Sequence, residues 1–114
     1  MARDRLALAA TALEAGHPEG AVSAAYYSML YAARAALSER DRNAKSHQGT
    51  WTLFREEFVV PGRFEQDLFD AARRAQRLRE NADYDAASIS AARAKGVVEL
   101  AGRFLPAVEG MLGG

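Results

Sequence analysis

From Pro18 to Arg40 the chain repeats apolar residues every three or four positions: Val22, Ala25, Tyr26, Met29, Leu30, Ala33 and Leu37. That spacing gathers on one face only in an α-helix. A long helix with a broad buried side is therefore the element the others must pack around, and its alanines let neighbours approach closely. Pro18 suits the first turn of this helix. Before it, Leu6, Ala9 or Ala10, and Leu13 form one apolar face of a first helix that Gly16 ends. So short a link predicts an antiparallel pair.

The same periodicity continues downstream. Asp41 to Lys45 is a polar connection, and Ser46 is a suitable N-cap for a third helix. In that helix His47, Trp51, Phe54 and Phe58 fall at i, i+4, i+7 and i+11, which sets the histidine over an aromatic face. Val59 to Gly62 breaks the chain, and a fourth helix begins near Phe64 and ends between Asn81 and Tyr84. Asp83 and Asp85 are candidate caps for a fifth helix. It carries Ile89, Ala92, Gly96, Leu100, Phe104, Val108 and Met111, with Pro106 expected to bend or shorten it. Val, Ile and Thr together number only ten, against an abundance of alanine, so helix is favoured throughout. The expected fold is an all-α, up-and-down bundle of four to five helices, one domain over residues 1–114.

Composition narrows the chemistry. Fifteen basic residues balance fifteen acidic ones, so no global field draws the chain to a polyanion, and any such binding must come from local clustering. With no cysteine there is neither a disulfide nor a thiolate metal site. His17 and His47 share no metal-ligand spacing, so no metal is expected, and no cofactor. No apolar run is long enough to span a membrane. The charged start at Arg3, Asp4 and Arg5 does not resemble a signal peptide. A cytoplasmic protein is expected.

Polar groups gather between Arg73 and Asp85, in the stretch RRAQRLRENADYD, with four arginines (Arg73, Arg74, Arg77, Arg79) inside seven residues. Leu68, Ala72, Ala75, Arg79 and Ala82 step by four and three, which sets Arg79 on or beside the inward stripe. A guanidinium there needs an anionic partner: an internal acid such as Asp83, or a ligand phosphate. On the long helix a second line runs Ser23, Tyr27, Tyr31, Arg34 and Ser38. It fits either packing against another helix or a dimer face. His47, at a helix start, suits either a hydrogen-bonded structural role or acid–base work.

Three segments taken together resemble the HEPN domain family, in its small stand-alone prokaryotic branch. They are AAYYSMLYAARAAL with its Tyr26–Tyr27 doublet, KSHQGTWTLFREEFV with a K-[ST]-H-x-G pattern, and RLRENADYD with an R-x-x-A-D-Y ending. The resemblance implies a helical bundle that dimerises, with polar motifs facing each other across a cleft. It also implies metal-independent RNA endonuclease chemistry at an Arg followed, four to six residues on, by His. Many such proteins are toxins paired with a minimal nucleotidyltransferase, which can adenylylate a tyrosine beside that motif.

Here the Arg half matches Arg79, but the fifth position on is Tyr84, and no histidine follows His47. The candidate catalytic residues are therefore Arg79 as phosphate clamp, Tyr84 as polar support and His47 as the histidine that folding would have to bring close. Tyrosine, with a solution pKa of about 10, donates hydrogen bonds more readily than it acts as a base. Arg73, Arg77, Lys45 and Asn81 are candidate phosphate or nucleotide ligands, and Tyr84 is also the candidate modification site. The expected partners are a second copy of the chain, a minimal nucleotidyltransferase, and RNA or nucleotide phosphate. The alternative to a nuclease is a non-catalytic subunit that binds nucleotide or RNA, or that serves as the partner of a nucleotidyltransferase.

Overall fold

A computed structural model describes residues 1–85 and 89–113, with side chains described for 1–81 and 89–113. Among the described residues five α-helices run in order: α1 (Ala2–Glu14), α2 (Pro18–Ser38), α3 (His47–Phe54), α4 (Gln66–Asp85) and α5 (Ala91–Gly113). Among the described residues there is no strand. The all-α bundle expected from periodicity is the fold observed.

Helix α2 is the centre of the bundle, touching α1, α3, α4 and α5. Its small residues make this feasible, because Ala21, Ala25, Ala33 and Ala36 are fully buried and hold the neighbouring backbones close. The turn from α1 to α2 passes through Gly16 at φ +81°, a left-handed conformation that costs a side-chain-bearing residue more than glycine. Pro18 then starts α2, where its missing N–H leaves no helical bond unmade.

Trp51 of α3 is the hub of the core, fully buried. Its ring meets Phe54, Phe69 and Phe104 edge-on at 6.1, 6.2 and 6.0 Å, which ties α3 to α4 and α5. After Phe54 the helix widens into a π-helical turn, Arg55–Val59. Phe58 and Val59, consecutive within that turn, are both buried. Arg42 fastens the turn to the α2–α3 link with a 2.6 Å bond to Glu57.

Three boundaries differ from the sequence expectation. Phe64 is not the start of α4 but a plug in the link before it, 5 % exposed and 5.0 Å from the rings of Phe54 and Phe104. Ile89 likewise precedes α5 and is buried against Ala21, Val22 and Ala94. An apolar residue beside a helix end satisfies the same periodicity as one inside it. The cap of α5 is Ser90, whose hydroxyl accepts from the Arg93 N–H at 3.1 Å, rather than Asp83 or Asp85, since α4 continues to Asp85. Pro106 does not shorten α5, which runs on to Gly113.

Candidate functional site

The N-terminus of α3 is built by local hydrogen bonds. Ser46 caps it, its hydroxyl accepting from the Gly49 N–H at 2.9 Å. Space at position 49 is tight: a Cβ there would lie 2.9 Å from the Ser46 hydroxyl oxygen and 3.1 Å from the Ala44 Cβ, so a larger residue would press on the capping hydroxyl. The buried Thr50 hydroxyl donates to the Ser46 carbonyl at 2.9 Å and accepts from Arg34 Nε at 3.2 Å. Arg34 also reaches the Lys45 carbonyl at 3.4 Å, so α2 pins the whole turn. Together these bonds fix His47, the first residue of α3. Ser46→Ala should therefore lower stability by about 1 kcal/mol, read from the urea midpoint at unchanged slope.

His47 meets the tyrosine doublet of α2. Tyr26 is fully buried, and its hydroxyl lies 3.2 Å from His47 Nδ1 and 3.0 Å from the Trp51 indole nitrogen, which donates to it. Tyr27, half-buried, sets its ring perpendicular to the imidazole with centroids 5.6 Å apart. From α4, Arg79 reaches the same pair. Its Nη2 donates to the Tyr27 hydroxyl at 3.1 Å, across 52 positions of sequence. Its guanidinium carbon lies 5.0 Å from the Tyr27 ring centroid and 5.8 Å from that of Tyr26. Three helices thus deliver Tyr26, Tyr27, His47 and Arg79 to one spot.

The inward stripe of α4 places Arg79 as its spacing implies, half-buried beside buried Ala72 and Ala75. The aromatic faces allow this, because a guanidinium is weakly hydrated and attracted by ring quadrupoles. The rest of the arginine run disperses around the helix. Arg73 turns to α3 and donates to Gln48 at 2.8 Å. Arg74 faces α5, where it shares a hollow with Arg93 and Arg103. Arg77 is exposed on the outer face, as are Asn81 and the side chain of Lys45. The side chains of Asp83 and Tyr84 lie outside the described residues.

Sequence reasoning did not identify Gln48, Gln76 or Glu80 as neighbours of the site. Gln76, 7 % exposed, donates to Glu80 at 3.0 Å, and Glu80 acts electrostatically on both Tyr26 and His47. Gln76 Oε1 and Arg73 Nε are buried without a hydrogen bond among the described residues. The i, i+4 spacing of Gln76 and Glu80 was the available signal, since both lie on the α4 flank that also carries Arg73. The Tyr27–Tyr31 line packs within the chain, with Tyr27 against Arg79 of α4 and Tyr31 under Arg5 of α1 at 5.6 Å.

Burial and neighbouring charges shift two groups of the site. Burial holds His47 below its ordinary pKa of 6.5, and the cations of Arg34 and Arg79 act in the same direction, opposed by Glu80. Burial chiefly raises the Tyr26 phenol, so it keeps its proton. The imidazole is therefore neutral near pH 7, beside two guanidiniums. A histidine depressed on folding contributes stability that is full above the unfolded value and lost as pH falls through the folded one. Unfolding midpoints should accordingly drop on acidification below about pH 6.5, and His47→Gln should flatten that limb.

The HEPN domain family pattern matches residues 1–111. This chain belongs to the HEPN family. A Methanocaldococcus jannaschii protein named "Putative toxin MJ0142" is 39% identical over 66 residues, covering 58% of this chain and 45% of that protein. A "UPF0332 protein" of Gloeobacter violaceus is 39% identical over 67 residues, covering 59% of this chain and 53% of that one. The chain spans about half the length of the curated relatives it matches. Within this HEPN bundle the tyrosine doublet, the K-S-H-x-G turn and Arg79 form one cluster. No helix among the described residues is long and apolar enough to cross a membrane.

Proposed function

We propose that this HEPN chain is a toxin-like subunit whose Arg79–His47 cluster engages the phosphate of RNA or of a nucleotide. It works as a homodimer in a two-component module with a minimal nucleotidyltransferase. The observation that carries the phosphate assignment is the convergence of Arg79 and His47 on one tyrosine pair, with Arg34 behind them and Glu80 the acid acting on His47. A cationic fork beside a neutral imidazole, set on aromatic walls, suits a phosphodiester. The name of the Methanocaldococcus jannaschii relative supports the toxin-like assignment.

Metal-independent cleavage is the second reading, favoured by Arg79 occupying the position of the family's catalytic arginine. The ribose 2′-oxygen would attack phosphorus and lose its proton to water. The 5′-oxygen would leave and take a proton from water, giving a 2′,3′-cyclic phosphate and a 5′-hydroxyl. Arg79 would stabilise the charge on the non-bridging oxygens.

One experiment tests both. End-labelled RNA is incubated with the protein in EDTA while binding is followed by anisotropy over a salt series. Saturable binding that weakens with salt, without cleavage, identifies a binding subunit. Ends of the stated chemistry identify a nuclease. Absence of saturable binding to RNA and to nucleotides would sink the proposal.

A further inference from the structure

We propose that Tyr26 is a positioning residue that fixes His47 as an Nε2–H hydrogen-bond donor to phosphate, and not as a group that moves a proton. This rests on the phosphate assignment above, but the geometry behind it is independent. An indole nitrogen can only donate. The 3.0 Å contact from Trp51 Nε1 therefore makes the Tyr26 oxygen an acceptor on that side. The phenol still has one proton to place, and His47 Nδ1 stands 3.2 Å away. An Nδ1 that accepts carries no proton, so the neutral ring bears its proton on Nε2. Nε2 makes no hydrogen bond among the described residues, and the His47 side chain is half-buried. It is the nitrogen we assign to the ligand.

The consequence for chemistry is specific. A neutral imidazole acts as a base through its unprotonated nitrogen, and here that nitrogen is occupied by Tyr26. The neutral Nε2–H is too weak an acid to give its proton away, though it hydrogen-bonds a phosphate oxygen well. Doubly protonating the ring would aim Nδ1–H at an oxygen that already accepts from Trp51. It would also add charge beside Arg34 and Arg79, with Glu80 opposing them and the rings of Tyr26 and Tyr27 against it. His47 therefore does not replace the histidine that the arginine motif lacks. Its role is to hold substrate.

Nitrogen-15 multiple-bond correlation spectra test this directly, since the chain has two histidines and His17 is exposed. Near neutral pH the native protein should give a single Nε2–H pattern for His47, with His17 averaging between tautomers. Tyr26→Phe should convert His47 to an averaged pattern. Adding an uncleavable 2′-O-methyl oligoribonucleotide should shift the His47 Nε2 signal in the native protein. A native His47 that is Nδ1–H or averaged overturns the inference, and this needs no variant to fold. So does a Tyr26→Phe protein that folds and keeps the Nε2–H pattern. If the oligonucleotide shifts the Arg79 guanidinium signals but not His47, the donor role falls while Arg79 keeps its phosphate. If it shifts neither, the phosphate assignment fails and takes the donor role with it, whatever the tautomer.

Discussion

Arg79→Ala is expected to weaken RNA binding about 10- to 100-fold, the size of a lost hydrogen bond to a charged group. Any metal-free cleavage should fall by about 100- to 1000-fold, because a guanidinium aimed at developing charge contributes more in the transition state than in the ground state. The fold should survive. Arg79 is half-buried, and its contacts to Tyr27 and Tyr26 contribute about 1 kcal/mol between them. Arg79→Lys should recover part of the binding, since the charge returns without the planar fork. Arg77→Ala, on the exposed outer face, should cost only a few-fold through screened attraction. Anisotropy and end-labelled cleavage read these differences, and equal losses for Arg77 and Arg79 would point to diffuse charge attraction in place of a clamp.

Trp51→Ala should have the largest effect on stability, about 3–5 kcal/mol. The side chain is fully buried and shares ring contacts with Phe54, Phe69 and Phe104 from three helices, so its loss opens a cavity that no single neighbour can fill. Against a typical total of about 5–15 kcal/mol, that is a large fraction. Urea unfolding should show a midpoint far below that of the native protein. Leu8→Ala, at an exposed position, should stay within about 0.5 kcal/mol. Trp51→Ala also removes the indole donor to Tyr26, so in whatever fraction stays folded the His47 tautomer should loosen. Core packing and the polar site are coupled through that one phenol.

The elements themselves were legible in the residues. The three-and-four spacing of Val22 through Leu37, Pro18 at a helix start and Ser46 as a cap all follow from local backbone chemistry, and each stands where it was expected. Periodicity reports a side chain's direction from its own helix, so it also set Arg79 on the inward stripe. Boundaries were less legible. Phe64 and Ile89 pack into the core from beside a helix end, and burial is all that periodicity detects. The π-helical turn after Phe54 left no mark in the spacing.

The functional grouping belonged to tertiary structure. In the sequence Arg73, Arg74, Arg77 and Arg79 form one basic cluster, but a helix turns each by about 100° from the last residue, and the four face different neighbours. Of these four, only Arg79 reaches the tyrosine pair in the contacts of the described residues. His47 stood among alternatives until the packing of α2 on α3 put the Tyr26 hydroxyl 3.2 Å from Nδ1. The residues by themselves determined the helices and which faces turn inward, because those depend on near neighbours along the chain. Which polar groups meet, and which nitrogen of His47 is left to face a ligand, depended on how distant helices cross, and only the folded bundle decides that.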